Sequence, residues 1–187
     1  MSRIGIIAED NSDVDVIRSI VGKIARRKFG VDKFVGHGCG KLRSKCRAWS
    51  GNLRERGCTL LILVHDLDRA NLGVLNASLA AALTPCPITL NIIVIPVREI
   101  EAWLLADHEA IRKAMNLSKA IGKIKNPEAI TRPKEHLRDL VWVRSGHKSR
   151  YVNSIHNVKI AEACSIANLR RCASFKPLEN FLSARLR

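Results

Sequence analysis

The sequence predicts an α/β protein: a doubly wound, mainly parallel four-stranded sheet with a C-terminal helical extension. Three segments, at residues 4–8, 59–64 and 88–97, are largely apolar rather than alternating. Strands of this kind are covered by helices on both faces, as in parallel sheets. Segments with helical spacing of apolar residues separate them, and right-handed crossovers then give a parallel sheet.

The first half of the chain is expected to alternate strands and helices. A strand at about 3–8 leads into a helix at about 13–28. Ser12 and Asp15 form a capping-box pattern at the start of that helix, and three basic residues and Gly30 mark its end. The predicted order continues with a short strand and a glycine-rich turn within 33–40, a helix at about 40–56, a strand at 59–65, a helix at 70–83 and a strand at 88–95.

The second half is expected to be helical. From about residue 107 the sequence is basic, has no comparable strand signal, and is interrupted by Asn126-Pro127 and Arg132-Pro133. Helices are predicted near 157–171 and 177–186. We therefore expect an α/β domain over 1–107 and a basic helical extension over 108–187 that packs on it.

Acidic residues follow three of the predicted strands. Glu9 follows the first, and Asp66 and Asp68 follow the third. Because the carboxyl ends of parallel strands meet along one edge of a sheet, these acids should share a crevice with the acids after the fourth strand. Such crowded carboxylates repel unless a hard cation with a preference for oxygen ligands neutralises them. The sequence thus predicts a Mg²⁺ (or Mn²⁺) site with four acids as catalytic residues and ligands: Glu9, Asp66, Asp68 and Glu101.

Other polar residues near these strands have simpler interpretations. Glu99 is a weaker ligand candidate. It and Glu101 are two residues apart, and on one helix two such side chains could not both face the metal. Asp13 and Asp15 are expected to act only as acids at a helix N-terminus. His65 is interpreted as a strand-end residue rather than a base, and Asp107 as either a helix cap or a ligand.

Charge varies strongly along the chain. Lys and Arg against Asp and Glu number 13 to 6 in residues 1–57, 2 to 6 in 58–111 and 17 to 5 in 112–187, within a net charge of +15. An acidic centre between basic arms suits a protein that grips a polyanion and presents metal to one phosphate. A generally basic surface is the simpler alternative. The candidate nucleic-acid-binding residues are Lys41, Arg43, Lys45, Arg47, Lys134 and Lys148.

Two segments resemble a known family. Residues 8–13 resemble its EGxTE-type start, with Asp10 where a glycine is usual, and residues 98–107 resemble its REIEAWLLAD segment. Asp66-Leu67-Asp68 supplies a DxD, and residues 132–137 resemble its downstream PKxxL pattern. The chain is thereby similar to a bacterial TOPRIM-like family of unknown function, often encoded beside AAA-type ATPases and distantly similar to OLD-type nucleases.

The resemblance implies a role for each matching acid. Glu9 would be a general acid/base or metal ligand, and Asp66 and Asp68 would be ligands of Mg²⁺. Glu101 would match the family's most characteristic acid. The implied function is a metal-dependent nuclease acting on DNA or RNA, as the effector of a defence system against phages or plasmids, with an AAA-type ATPase as partner.

Other functions fit the sequence less well. A topoisomerase needs a nucleophilic tyrosine and gate domains, whereas Tyr151 is the only tyrosine. A receiver-like signalling module needs a Ser or Thr after its fourth strand and a Lys after a fifth, and neither is evident. A catalytically silent subunit that binds nucleic acid or an ATPase remains open, since it would share the fold and the charge.

The sequence contains no membrane-spanning pattern. No stretch of 18 or more residues is apolar and uncharged, and the N-terminus lacks the long apolar region of a signal peptide. The six cysteines have no metal-ligand spacing and are expected to be free thiols. A cytoplasmic location without membrane contact is therefore expected.

Overall fold

A four-stranded parallel sheet forms the centre of the molecule. The computed structural model describes residues 3–25 and 29–186. The strands are β1 (Arg3–Ala8), β2 (Gly30–Val35), β3 (Cys58–Val64) and β4 (Leu90–Val94). Their order is β2-β1-β3-β4, and every neighbouring pair is parallel. The predicted fold class is thus confirmed.

The helices complete the order of elements. They are α1 (Asn11–Ala25), α2 (Cys39–Glu55), α3 (Leu72–Leu83), α4 (Glu101–Leu105), α5 (His108–Ala114), α6 (Pro133–Arg144), α7 (Asn153–Ala163), α8 (Ile166–Leu169) and α9 (Lys176–Leu186). Two short 3-10 turns lie at Pro127–Ala129 and Ala173–Phe175. The predicted end of the first helix, at residues 26–28, lies outside the described residues.

One helix prediction is wrong. The segment 157–171 is not a single helix, because α7 ends at Ala163 and Cys164 has extended backbone. The Ser165 hydroxyl then accepts a hydrogen bond from the Asn168 backbone N–H at 3.2 Å and caps α8. The apolar spacing over 157–171 predicts one continuous helix, but the first helix ends before Ser165, which caps a second one.

Helices cover both faces of the sheet. On one face, Ile4 and Ile6 of β1 pack with α1 and with the helices that follow β4, including α7 and α9. On the other face, Ile7 packs with α2 and α3. Burial on both sides explains why β1 and β3 are apolar along almost their whole length.

The C-terminal helices share the core of the sheet. Trp103 of α4 is fully buried, and its indole N–H donates to the Ser174 hydroxyl at 2.8 Å. Phe175 packs edge-on against the same ring, with centroids 5.4 Å apart. These contacts hold the C-terminal segment against α4. The predicted division of the chain at residue 107 stays a prediction.

Within the described residues, no helix is both long and apolar enough to cross a membrane.

We expect Phe175→Ala to lower the free energy of unfolding by about 3–5 kcal/mol, the usual cost of emptying a buried aromatic site. Phe181→Ala is the matched control, since Phe181 is only partly buried and should cost less. Urea denaturation followed by circular dichroism measures both. Equal losses in the two variants would contradict the assigned role of Phe175 in the core.

Candidate functional site

A cleft of about 300 Å³ opens at the carboxyl edge of the sheet. It lies between β1 and β3, where the strand order reverses, which is the position where doubly wound sheets bind ligands. All five predicted metal-site acids line it, namely Glu9, Asp66, Asp68, Glu99 and Glu101. Asp10, Asp13 and Lys134 line it too, so seven carboxylates and one ammonium group meet in one small space.

Asp13 was missed as a site residue. The capping box lies two residues earlier than predicted: Asp10 accepts from the Ser12 N–H at 3.1 Å, and Asp13 accepts from the Asp10 N–H at 3.1 Å. The predicted pair of Ser12 and Asp15 is therefore wrong. Asp13 is 8% exposed, and it both caps α1 and lines the cleft. Its pKa is raised to about 7, chiefly by burial and then by the nearby Glu101 and Asp10 carboxylates.

Asp66 lies directly after β3 at the centre of the cleft. Its Oδ1 atom is buried and has no hydrogen-bond partner. Burial raises the pKa of Asp66 well above its usual value, and the Asp13 and Glu101 carboxylates add to the shift. A buried carboxylate oxygen without a partner is energetically costly. Binding to a cation would remove this cost, so the atom suits a role as a metal ligand.

His65 and Glu9 form a second contact at the same edge. His65 Nδ1 lies 2.7 Å from the Asp66 carbonyl oxygen and 3.0 Å from Glu9 Oε1. The N–H is aimed at the carbonyl, so Glu9 Oε1 is left buried without a hydrogen bond despite the short distance. Burial lowers the pKa of His65, but the Glu9 carboxylate and the Asp66 carbonyl raise it by more. His65 is thus more than the end of a strand, because it lies against a predicted catalytic acid.

Glu101 is held by two residues of the C-terminal half. Its Oε1 accepts from Asn157 Nδ2 at 3.0 Å and from the Tyr151 hydroxyl at 3.3 Å. The Tyr151 hydroxyl also lies against Asn157 Oδ1, so its one proton is shared between these two acceptors. Glu101 is 3% exposed and Asn157 is fully buried. These positioning residues were missed: the only sequence signal for Asn157 is a polar residue on an apolar helix face, and Tyr151 lies in the segment before α7.

Glu99 and Glu101 both face the cleft, which corrects the expectation that only one could. That expectation placed both on one helix, but α4 begins at Glu101 and Glu99 lies in the turn before it. Glu99 accepts from the Lys134 backbone N–H at 2.9 Å and so satisfies a free donor in the first turn of α6. Burial raises the pKa of Glu99, whereas this hydrogen bond lowers it.

Asp68 is fixed by its backbone. Its φ angle is +49° and that of Arg98 is +64°, both in the left-handed region. The Asp68 N–H donates to the Arg98 carbonyl at 2.9 Å, and the Arg98 guanidinium donates to the Asp68 carbonyl at 2.8 Å. The segments after β3 and β4 are thereby joined at the rim of the cleft. Burial raises the pKa of Asp68, as does the Glu9 carboxylate.

The glycine-rich turn before α2 also reaches the cleft. It was interpreted as a turn rather than a ligand loop, and it serves as a turn: the His37 N–H donates to the Glu9 carbonyl at 2.9 Å. His37 and Gly38 nevertheless line the cleft, and Gly38, with φ +124°, precedes α2. The positive end of the α2 dipole therefore points toward the site.

The predicted nucleic-acid-binding residues lie at different distances from the cleft. Lys134 lines it, and the Arg43 guanidinium is near enough to lower the pKa of His65. Lys148 follows the far end of α6, about 18 Å along the helix from its first turn. The four predicted basic side chains of α2 are exposed, with Lys41 and Lys45 on one side of the helix and Arg43 and Arg47 on the other. Whether any of them binds nucleic acid stays a prediction.

Comparison with known proteins places the chain in a family. Residues 8–183 match the family described as Domain of unknown function (DUF4276). The chain belongs to this family. No curated protein and no solved structure matches it. The match spans every cleft residue from Glu9 to Lys134, together with Tyr151 and Asn157.

The side chains of the cleft in this DUF4276 domain are of the type that binds a hard cation, but they are not arranged as a complete set of metal ligands. Its donors are carboxylate oxygens, and two of them are buried without a partner. Within residues 3–25 and 29–186, however, no three His, Cys, Asp or Glu side chains form a group that could hold a metal ion. Mg²⁺ commonly takes one or two carboxylates and completes its shell with water and substrate phosphate, so a closed set of protein ligands is not required.

The metal-free protein should lose stability as pH rises from about 4 to about 7. The pKa of Asp13 is about 7 in the folded state against an ordinary 3.8, so the folded state binds more protons than the unfolded state in this window. We expect Asp13→Asn to flatten the slope and Asp15→Asn to leave it unchanged. Urea unfolding in EDTA at several pH values measures this. A stability that rises with pH equally in all three proteins would contradict the crowding of the acids.

Proposed function

We propose that this protein is a Mg²⁺- or Mn²⁺-dependent nuclease of the TOPRIM type that hydrolyses DNA or RNA phosphodiesters. The observation that carries the proposal is the cleft of seven carboxylates at the switch point of the sheet, in a chain of net charge +15. A phosphate would be repelled by these acids alone. With a divalent cation between them, the same acids become a site for phosphate.

The surroundings of the cleft support a polyanionic substrate. Lys134 projects from the first turn of α6 into the cleft, and the N-terminus of α2 begins beside it. Both place positive charge where the phosphates next to the reacting one would lie. The exposed basic side chains of α2 extend this charge away from the site and suit contacts with the nucleic-acid backbone.

Hydrolysis would use the residues as follows. A cation would take one or two protein ligands from among Asp66, Asp68 and Glu101 and complete its shell with water and phosphate; when bound, it would polarise the phosphate and lower the pKa of bound water. Glu9, which lines the cleft, would accept the proton of the attacking water. A water oxygen bonds to phosphorus, the bond to the leaving sugar oxygen breaks, and that oxygen takes a proton from solvent. Lys134 would hold the phosphate in place.

A catalytically silent subunit that binds nucleic acid or an ATPase is the alternative. One observation favours it: no three potential ligands in the described part of the chain form a ready group for a metal ion. A receiver-like module is less well supported, because the sheet has four strands and the lysine expected after a fifth has no counterpart among the described residues. The defence role and the AAA-type ATPase partner depend on the TOPRIM resemblance alone.

Cleavage is the direct test. We expect the wild type to cut labelled plasmid DNA or total tRNA with Mg²⁺ or Mn²⁺ and to stop in EDTA. Asp66→Asn/Asp68→Asn should lower the rate at least about 100-fold, because the cation would lose two ligands. Asp15→Asn, at a half-buried acid of α1 that does not line the cleft, is the matched control and should cut normally.

Each outcome has a distinct meaning. Cutting that needs both the metal and the two aspartates supports the nuclease, and the substrate that disappears identifies its target. Cutting that survives in the double variant would place the chemistry elsewhere. Nucleic-acid binding without cutting, with calorimetric binding of Mn²⁺ intact, would support the silent subunit.

Asn157 should control metal affinity through Glu101. Asn157→Leu removes the 3.0 Å hydrogen bond to Glu101 while keeping similar volume. We expect the dissociation constant for Mn²⁺, measured by calorimetry, to rise about 10–100-fold, the usual effect of losing a residue that orients a ligand. Ser154→Ala, an exposed change on the same helix, should have no effect. Equal affinities in the two variants would contradict a ligand role for Glu101.

A further inference from the structure

Trp142 is an unusual surface residue. It leaves 36% of its surface exposed, whereas Trp103 is fully buried and Trp49 is stacked on Phe34. The Arg150 guanidinium lies 5.5 Å from the centre of the Trp142 ring, and the His147 ring is 5.1 Å away. An exposed indole beside an arginine is a platform on which a flat ring such as a base can stack.

A groove joins this tryptophan to the cleft. We call it the α6 groove and define it by Lys134, Arg138, Trp142, Arg150 and Val152. A section of about 280 Å³ runs from Lys134 to Arg138 and Val152, and a section of about 420 Å³ continues from there to Trp142 and Arg150. Since Lys134 lines both the cleft and the groove, the groove begins at the edge of the cleft.

Helix geometry sets the line of the groove. Lys134, Arg138 and Trp142 are spaced four residues apart on α6 and therefore lie on one face of the helix. The distance from the first to the third is about 12 Å along the axis. Tyr151 lines the groove and places its hydroxyl against Glu101, so one residue contacts both the groove and the site.

The charge of the segment matches an anionic chain. Residues 132–150 contain six Lys or Arg and two Asp or Glu. The two acids, Glu135 and Asp139, line the groove as well. Asp139 pairs with Arg138 at 3.0 Å, but both side chains are more than half exposed, so water and salt screen this ion pair and a phosphate can compete for the arginine.

We propose that the α6 groove binds a single strand of nucleic acid, with phosphates on Lys134 and Arg138 and an unpaired base stacked on Trp142. The proposal rests on the proposed nuclease function for its substrate class and refines it: the preferred substrate is single-stranded. A base in a duplex has both faces covered by its neighbours, whereas an unpaired base can stack on an exposed aromatic ring. Arg150 would shift from the ring to a phosphate or share the indole with the base.

Binding without cleavage tests the groove. Fluorescence anisotropy in EDTA would compare a short labelled oligonucleotide of mixed sequence as single-stranded DNA, as single-stranded RNA and as each duplex. We expect the single strands to bind more tightly, and Trp142→Ala to weaken them about tenfold while leaving the duplexes unchanged. Trp142→Phe should keep most of the affinity. Val143→Ala, at an exposed apolar neighbour on the same helix, is the matched control.

The outcomes separate this proposal from the nuclease. If Trp142→Ala lowered the affinity for single strands and duplexes equally, or did not lower it, the proposed role of the α6 groove would be wrong. This holds even if metal-dependent cutting is found. A loss of affinity for single strands alone would support the proposed role of the α6 groove. If the protein nevertheless cut nothing, only the nuclease proposal would fail. The single strand that depends more on Trp142 identifies DNA or RNA as the substrate.

Discussion

The adjacency of β1 and β3 is the constraint on which the site depends. The chain winds outward in opposite directions from this pair, so no crossover covers their carboxyl ends. Glu9 leaves β1 and Asp66 leaves β3 at the same level, and the register of the two strands fixes their separation. The other charged side chains of the cleft either add negative charge beside these two strand ends or, as Lys134 does, offset it.

The C-terminal half builds the opposite wall of the cleft. Asn157 and Tyr151 hold Glu101, while α6 brings Lys134 to Glu99. A basic appendage that only provided affinity would not need buried polar contacts with the site. The helices after β4 therefore determine the geometry of the acids as well as the charge around them, and a change at Asn157 reaches the cleft without touching its surface.

The sheet and the position of the acids could be predicted from the sequence, because apolar strands ending in Glu9 or Asp66 depend on local pattern alone. The contributions of Asp13, Tyr151 and Asn157 could not. Asp13 looks like any helix-capping acid, and its role depends on which face of α1 turns toward β3. Tyr151 and Asn157 lie 50 and 56 residues from Glu101, and only the tertiary packing of α7 brings them to it. The error over Glu99 came from assigning it to the helix that begins two residues later, at Glu101.

The left-handed backbone at Asp68 limits how this position can evolve. Asp, Asn and Gly tolerate such a conformation, whereas most other side chains are strained by it. Under the proposed function, a lineage that lost the activity would retain the fold most readily with Asn or Gly at this position. Both replacements remove the charge and keep the turn. The backbone at residue 68 therefore restricts this position to a choice among three residues rather than twenty, of which only Asp could serve the proposed metal site.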